Sequence, residues 1–450
     1  MWKSFSLAVT LGFVVVASAT DRSEPRLDID NWPSWRGPTA NGIAPAGANP
    51  PTKWDAKTNI KWKVEIPGRG SATPIVWGDQ VFVLTSMTTD REAKPEELPK
   101  PDPRFVEKTK PSNHFQRFEV LCFDRQTGEL RWRKTAAEAV PHEGHHDTHS
   151  YAGGSPATDG KRLYASFGSF GIYAYDLTGN LLWKRDLGRL HTRFGWGEAV
   201  TPVVHGDSLV LNWDQEADSR LIVLDAATGE TRWEVPRDDK SSWNTPAVVP
   251  FNGKTQVIVN GTKRVRSYDL ADGKEIWEVG GMTVNAIPSP LVADGIAYVM
   301  SGYTGAAAVA VPLSSTGDLT TPEKTTSGTV AWRYDKGTPY VPSPILVDGR
   351  LYFTKANTQV LTVLDAKTGK PIGTSERIPG ATSFYASPAF AAGHLYFSDQ
   401  SGTTVVIKPS DQWEVVATNK LDETIDASPV IVGKTLFLRT AKHLYAIEEK

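Results

Sequence analysis

At 450 residues, 40% of them hydrophobic and 22% charged, the chain is long enough to bury a large core and too apolar to be disordered. A formal net charge of −2 with scattered Lys and Arg excludes the basic footprint of a nucleic-acid binder. The one cysteine, Cys122, excludes an intrachain disulfide, so the fold must hold without covalent staples.

The chain opens with a single cation at Lys3, an apolar run from Leu7 to Val16 and the small-residue exit Ala17-Ser18-Ala19. This pattern predicts an export signal over residues 1–19, with cleavage after Ala19. No later stretch reaches the roughly 20 apolar residues a spanning helix needs. The mature chain is therefore expected to be soluble, monomeric, and periplasmic or extracellular, with residues 20–57 as an N-terminal extension and residues 58–450 as one domain.

From residue 73 onward a Ser-Pro or Thr-Pro pair recurs with a period of about 44 residues, the prolines being Pro74, Pro156, Pro202, Pro246, Pro290, Pro344, Pro388 and Pro429. Each pair precedes two short apolar runs separated by a turn, as in SPILVDGRLYFT and SPAFAAGHLYFS, which predicts a β-hairpin. A third strand ends in Asp and a Thr-Gly turn, as in LIVLDAATGETRW. There Asp225 or Asp365 can accept downstream backbone N–H groups, and Gly229 or Gly369 can take positive φ cheaply. The fourth strand carries Trp132, Trp183, Trp233, Trp277 or Trp332, expected to pack against the neighbouring sheet.

Four-stranded units of this length cannot bury their faces alone, but packed radially they form a β-propeller, so eight repeats predict an all-β fold of eight antiparallel blades. The last unit ends after three strands, while NIKWKVEIPG at 59–68, bearing Trp62, reads as an unattached fourth. The N-terminal strand is expected to complete the final blade and close the ring.

These Ser-Pro starts, Asp-Gly hairpins, Leu-Asp-Ala-x-Thr-Gly turns and trailing tryptophans resemble the PQQ-like β-propeller family. The opening NWPSWRGPTANGIA resembles secreted PQQ-like repeat proteins of the Planctomycetes type. The family's BamB-like branch implies a scaffold that binds proteins, although this chain lacks the lipid-anchor cysteine. Its quinoprotein alcohol dehydrogenase branch implies a PQQ cofactor, a calcium ion, an Asp base and an adjacent Cys-Cys disulfide. Cys122 alone cannot form that disulfide, and the calcium ligands find no residue-by-residue match.

In such blades the loops from second to third strand, and from fourth strand to the next blade, share one face, where propellers usually bind. These loops supply Arg69, His149, Tyr151, Trp196, Glu198, Trp213, Trp243, Asn244, Tyr340, Tyr385 and Asp426 as candidate ligand contacts. The densest cluster is PHEGHHDTHSYAGGS, whose His142, His145, His146 and His149 are candidate metal ligands, although the spacing matches no defined zinc motif. Catalytic candidates are Glu198 or Asp214 as base, with Arg193 stabilising negative charge. The charged, Pro-rich segment at 87–116 reads as a mobile flap above the first blade. No phosphate-cradling Gly loop or nucleophile elbow is present. The sequence favours a non-catalytic module that binds a protein, a cell-envelope glycan or a small polar ligand. The alternative is a PQQ-dependent dehydrogenase or a metal-dependent enzyme at the same face.

Overall fold

The computed structural model describes residues 1–2, 30–100, 102–321 and 330–449. Beyond its first two residues, the expected export signal lies outside the described residues. Among those described there is no α-helix, and none long and apolar enough to cross a membrane. The chain forms eight antiparallel sheets, each made from consecutive strands, arranged as the blades of one propeller. Blades 1 to 7 span residues 75–139, 157–185, 203–236, 247–280, 291–334, 345–377 and 389–420.

The last blade joins Val430–Val432, Thr435–Arg439 and His443–Ile447 to the N-terminal strand Ile60–Glu65. That strand lies antiparallel to His443–Ile447, with Val64 opposite Leu444 and Trp62 opposite Ala446. The expected closure is present. The buried Arg439 reinforces it by donating to the Ala72 and Leu84 carbonyls of the first repeat at 2.8 Å each.

The structure gives each repeated residue a physical task. The Ser or Thr before seven of the eight prolines accepts, through its hydroxyl, the backbone N–H of its counterpart in the preceding blade. The chain runs Thr73 to Ser155 to Thr201, then Thr245 to Ser289, Ser343, Ser387, Ser428 and back to Thr73, at 2.8–3.1 Å. A circle of hydroxyls thus satisfies backbone donors at the crowded axis, where water has little access.

The turn motif and the tryptophans prove to be two halves of one contact. The indole N–H of each outer tryptophan donates to the carbonyl that follows the turn aspartate of the next blade. Trp62 reaches Arg125, Trp132 reaches Leu177, Trp183 reaches Ala226, Trp233 reaches Leu270 and Trp332 reaches Ala366, at 2.8–3.2 Å. The turn glycine lies flat against the ring. A Cβ on Gly229, whose φ is +73°, would come within 2.7 Å of Trp183. Trp277 differs, because the fifth blade lacks the turn: it donates to Gln256, whose amide caps Leu313. Trp183, Trp277 and Trp332 are buried as expected, whereas Trp132 and Trp233 are half-buried.

The turn aspartates also contribute to the acid sensitivity of the fold. Asp225 accepts from the Ala227 and Thr228 N–H groups at 2.9 Å each and pairs with Arg232 at 2.7 Å. The Arg232 contact, together with those N–H groups, lowers its carboxyl to about 2, and Asp124 is lowered alike beside Arg131. An unfolded Asp titrates near about 3.9, so between the two values the folded state holds fewer protons. This stabilisation is complete above about pH 4 and drains away as pH falls towards 2. Asp225→Asn is expected to flatten the fall in urea midpoint between about pH 4 and about pH 2.5. An unchanged acid limb would contradict that role.

Three segments depart from the simple repeat. The 87–116 segment is not a loose flap. Its neighbours Gln80–Glu92 and His114–Asp124 run on as long paired strands, because the β-branched residues at 85–89 and the Arg91–Phe115 contact, at 3.7 Å, extend the ladder. Gly317 and Asp318 add a short parallel strand to the outer edge of blade 4. The N-terminal extension threads the axis: Trp32 pairs with Val76, Pro33 accepts from Thr158, Arg36 donates to Pro344, and Gly42 and Ala44 bond Phe390. A Cβ at Gly42, whose φ is +83°, would meet the Pro388 carbonyl at 2.8 Å, so only glycine passes there.

Candidate funnel on the axis

The extension touches strands just beyond the hydroxyl circle, so it crosses the axis on the side away from the blade-to-blade loops. A blind funnel of about 280 Å³ remains. Trp35 and the hydroxyls of Thr73, Ser155, Thr201, Thr245, Ser387 and Ser428 line its depth. Its walls carry Trp196, Trp243, Tyr303, Tyr340 and Tyr385, with His146, His149, Thr148 and Asp426.

The aromatic walls are mutually braced. Trp196 meets Tyr303 edge-on at 6.0 Å, and Tyr303 meets Tyr340 at 4.9 Å. Trp243 donates its indole N–H to Gly197 at 2.7 Å. The His-rich loop reaches across the mouth, where the Thr148 hydroxyl donates to Tyr385 at 3.3 Å. Asp426 accepts from Gln400 at 2.9 Å, and burial raises its carboxyl above the usual range. His149 donates to the Glu198 carbonyl at 3.0 Å, and burial lowers its imidazole to about 4. The lining therefore offers one carboxylate, two imidazoles and hydroxyls, and no Lys or Arg.

Several sequence-predicted residues sit elsewhere. Trp213 is fully buried among Tyr164 and Trp183. Asn244 is buried, its amide donating to Ser242 and to the Asn260 carbonyl. Asp214 holds Arg237 through two bonds, 2.7 and 3.1 Å long, with both side chains fully buried. Arg193 donates to Asn285 at 3.2 Å, and Arg69 to the Asp147 carbonyl at 3.5 Å. Tyr151 accepts the Ser112 N–H at 3.2 Å and stacks edge-on with His145. Glu198, Asp214 and Arg193 are all absent from the funnel wall.

The four candidate metal-binding histidines are not gathered together. His145 and His146 are spent on local contacts, to the His146 carbonyl and the Thr148 hydroxyl. His142 instead points into a second, smaller cavity with Glu143 and Glu198. Burial, followed by the charge of Glu198, raises the Glu143 carboxyl well above the usual range, and burial raises that of Glu198. Beside them Phe194 adopts φ +59°, uncommon for a bulky residue. Lys108 holds it there, with its N–H on the Phe194 carbonyl and its ammonium 4.0 Å from the ring. Sequence reading missed Trp35, Thr148 and the axial hydroxyls. Only the aromatic content of NWPSWRG hinted at the first.

Eight clasped four-stranded blades with a loop-face funnel define a propeller of the PQQ-like repeat class. The family model described as outer membrane protein assembly factor BamB matches residues 116–324 and 264–450, and the chain belongs to that family. Among solved structures, BamB from Moraxella catarrhalis is similar at 13% identity and TM-score 0.51, covering 82% of this chain and 98% of that one. A europium-containing methanol dehydrogenase is similar at 11% identity and TM-score 0.60, covering 94% and 98%. A lanthanide-dependent methanol dehydrogenase from Methylorubrum extorquens is 36% identical over 69 residues, 14% of this chain. That match spans 12% of the relative's length. The structural likenesses share the fold.

Proposed function

We propose that this chain is an exported binding module whose funnel takes a small, uncharged, ring-shaped polar group, such as a sugar unit of a cell-envelope glycan, without turning it over. The observation that carries this reading is the funnel's chemistry: aromatic faces stack on flat or pyranose rings, while Asp426, Thr148 and the axial hydroxyls accept and donate to hydroxyl groups. A quinone cofactor of the PQQ type fits poorly. It carries three carboxylates, whereas the lining residues include no Lys or Arg, with Arg69 acting on Asp426 from outside the lining, and offer only Asp426 towards a calcium ion.

The reading is tested by titrating the mature chain with neutral N-acetylhexosamine oligomers and muropeptides while following tryptophan fluorescence. Saturable quenching is expected, with Trp243→Ala weakening it at least tenfold, equivalent to about 1.4 kcal/mol. Absence of binding to every saccharide at millimolar concentration would overturn it.

A further inference from the structure

Beside the funnel, two loops converge on a cluster that the proposed binding function does not use. His142 and Glu143 lie in the loop entering blade 2, and His191 in the loop leaving it. Each offers one ligand atom, and these atoms lie within 4.8 Å of one another. His142 and Glu143 are buried. The Nδ1 of His191 is buried with no hydrogen-bond partner, a position that costs free energy unless something fills it. Glu198 lies 3.8 Å from the His142 Nε2. Among the described residues, neither Glu143 nor Glu198 has a Lys or Arg in an ion pair, although both are buried carboxylates.

We infer that His142, Glu143 and His191 form a site for one divalent transition-metal ion of the Zn²⁺ or Co²⁺ class. Two imidazoles and a carboxylate suit such ions. The Nε2 of His142 lies 2.7 Å from the Leu190 carbonyl. A carbonyl can only accept, so Nε2 carries the proton and Nδ1 keeps its lone pair, the usual arrangement behind a metal-binding histidine. Glu143 is fixed by the Thr192 hydroxyl at 2.6 Å and N–H at 3.0 Å, and each oxygen retains a further lone pair.

The His191 backbone is pinned by Gln215 and Glu216, and Phe105 of the blade 1 insertion stacks on its ring at 4.2 Å. Ligand atoms around tetrahedral Zn²⁺ sit roughly 3.4 Å apart, so closing on an ion requires small side-chain rotations and no rebuilding of loops. The adjoining cavity of about 10 Å³ has room for a single water as a further ligand. The same loops present His146, His149 and Trp196 to the funnel, so an ion here fixes the funnel wall.

The test uses the whole mature chain, stripped with EDTA and then titrated with Zn²⁺ and Co²⁺ by equilibrium dialysis and visible absorption. One ion per chain is expected, with Co²⁺ giving d–d bands. His191→Gln and Glu143→Gln should each weaken binding tenfold or more. Because either substitution in the cluster can impair folding, a His145→Asn/His146→Asn variant, which alters only imidazoles outside the cluster, provides the second arm and should retain the Co²⁺ bands. Failure of the wild-type chain to bind, or loss of binding in that exposed-loop variant, overturns the site.

Discussion

A chain shortened to begin at residue 67 is expected to be insoluble or grossly unfolded, the largest single effect the structure implies. Removing Ile60–Glu65 leaves His443–Ile447 as an unpaired edge, open to aggregation. It also removes Trp62, whose ring packs on Phe437 at 5.8 Å and against Gly128, and whose N–H holds the Arg125 carbonyl of the next blade. The preceding residues lost with it include Trp32 and Trp54, both buried in the same core. Trp62→Ala alone should cost about 3–5 kcal/mol, the usual range for emptying a buried Trp site. Size-exclusion chromatography and urea unfolding provide the check. A soluble monomer with an unchanged midpoint after truncation would mean that the clasp does not close the ring.

The second large effect lies at Asp214. Its carboxylate is bonded bidentately to Arg237 and to the Ser242 hydroxyl at 2.6 Å, and Arg237 also holds the Tyr268 hydroxyl at 2.8 Å. Asp214→Ala leaves a fully buried guanidinium with only Asp239, 3.7 Å away, as a counter-charge. A loss of about 3–5 kcal/mol is expected, without change in funnel affinity if the fold survives. Replacing Asp214 and Arg237 together with apolar residues should cost much less, because no charge is stranded. Equal losses in the single and double variants, measured by urea unfolding, would contradict the ion-pair account.

Asp214 also shows where sequence reading stops. Its position after a second strand suggested the loop face, but the charge that claims it, Arg237, lies 23 residues away in sequence and has no motif of its own. Trp213 was drawn towards the rim by the same logic, yet its strand, Ser208–Trp213, is buried along its whole length. The blades were legible because their signals are local: a proline at a strand start, an aspartate and glycine in a turn, a tryptophan on an edge. Even the ring closure could be read, since a missing fourth strand and a spare one balance.

The axial hydroxyl circle, by contrast, exists only when eight distant repeats meet, and Trp35 reaches the funnel because a non-repeating segment threads the axis. The His-rich loop was legible as a cluster of ligand-type residues but not as two separate environments. Burial draws His142 and Glu143 towards His191 in the next loop, while His145 and His146 stay near solvent.

The most direct test of the central claim, a funnel built for uncharged polar rings, is a side-by-side calorimetric titration of the mature chain. One arm uses muropeptides and neutral N-acetylhexosamine oligomers, and the other PQQ with Ca²⁺. The account predicts saturable saccharide binding that is lost in Trp243→Ala, and no heat from the quinone. Saturable PQQ binding that requires Ca²⁺, with no saccharide response, would contradict it.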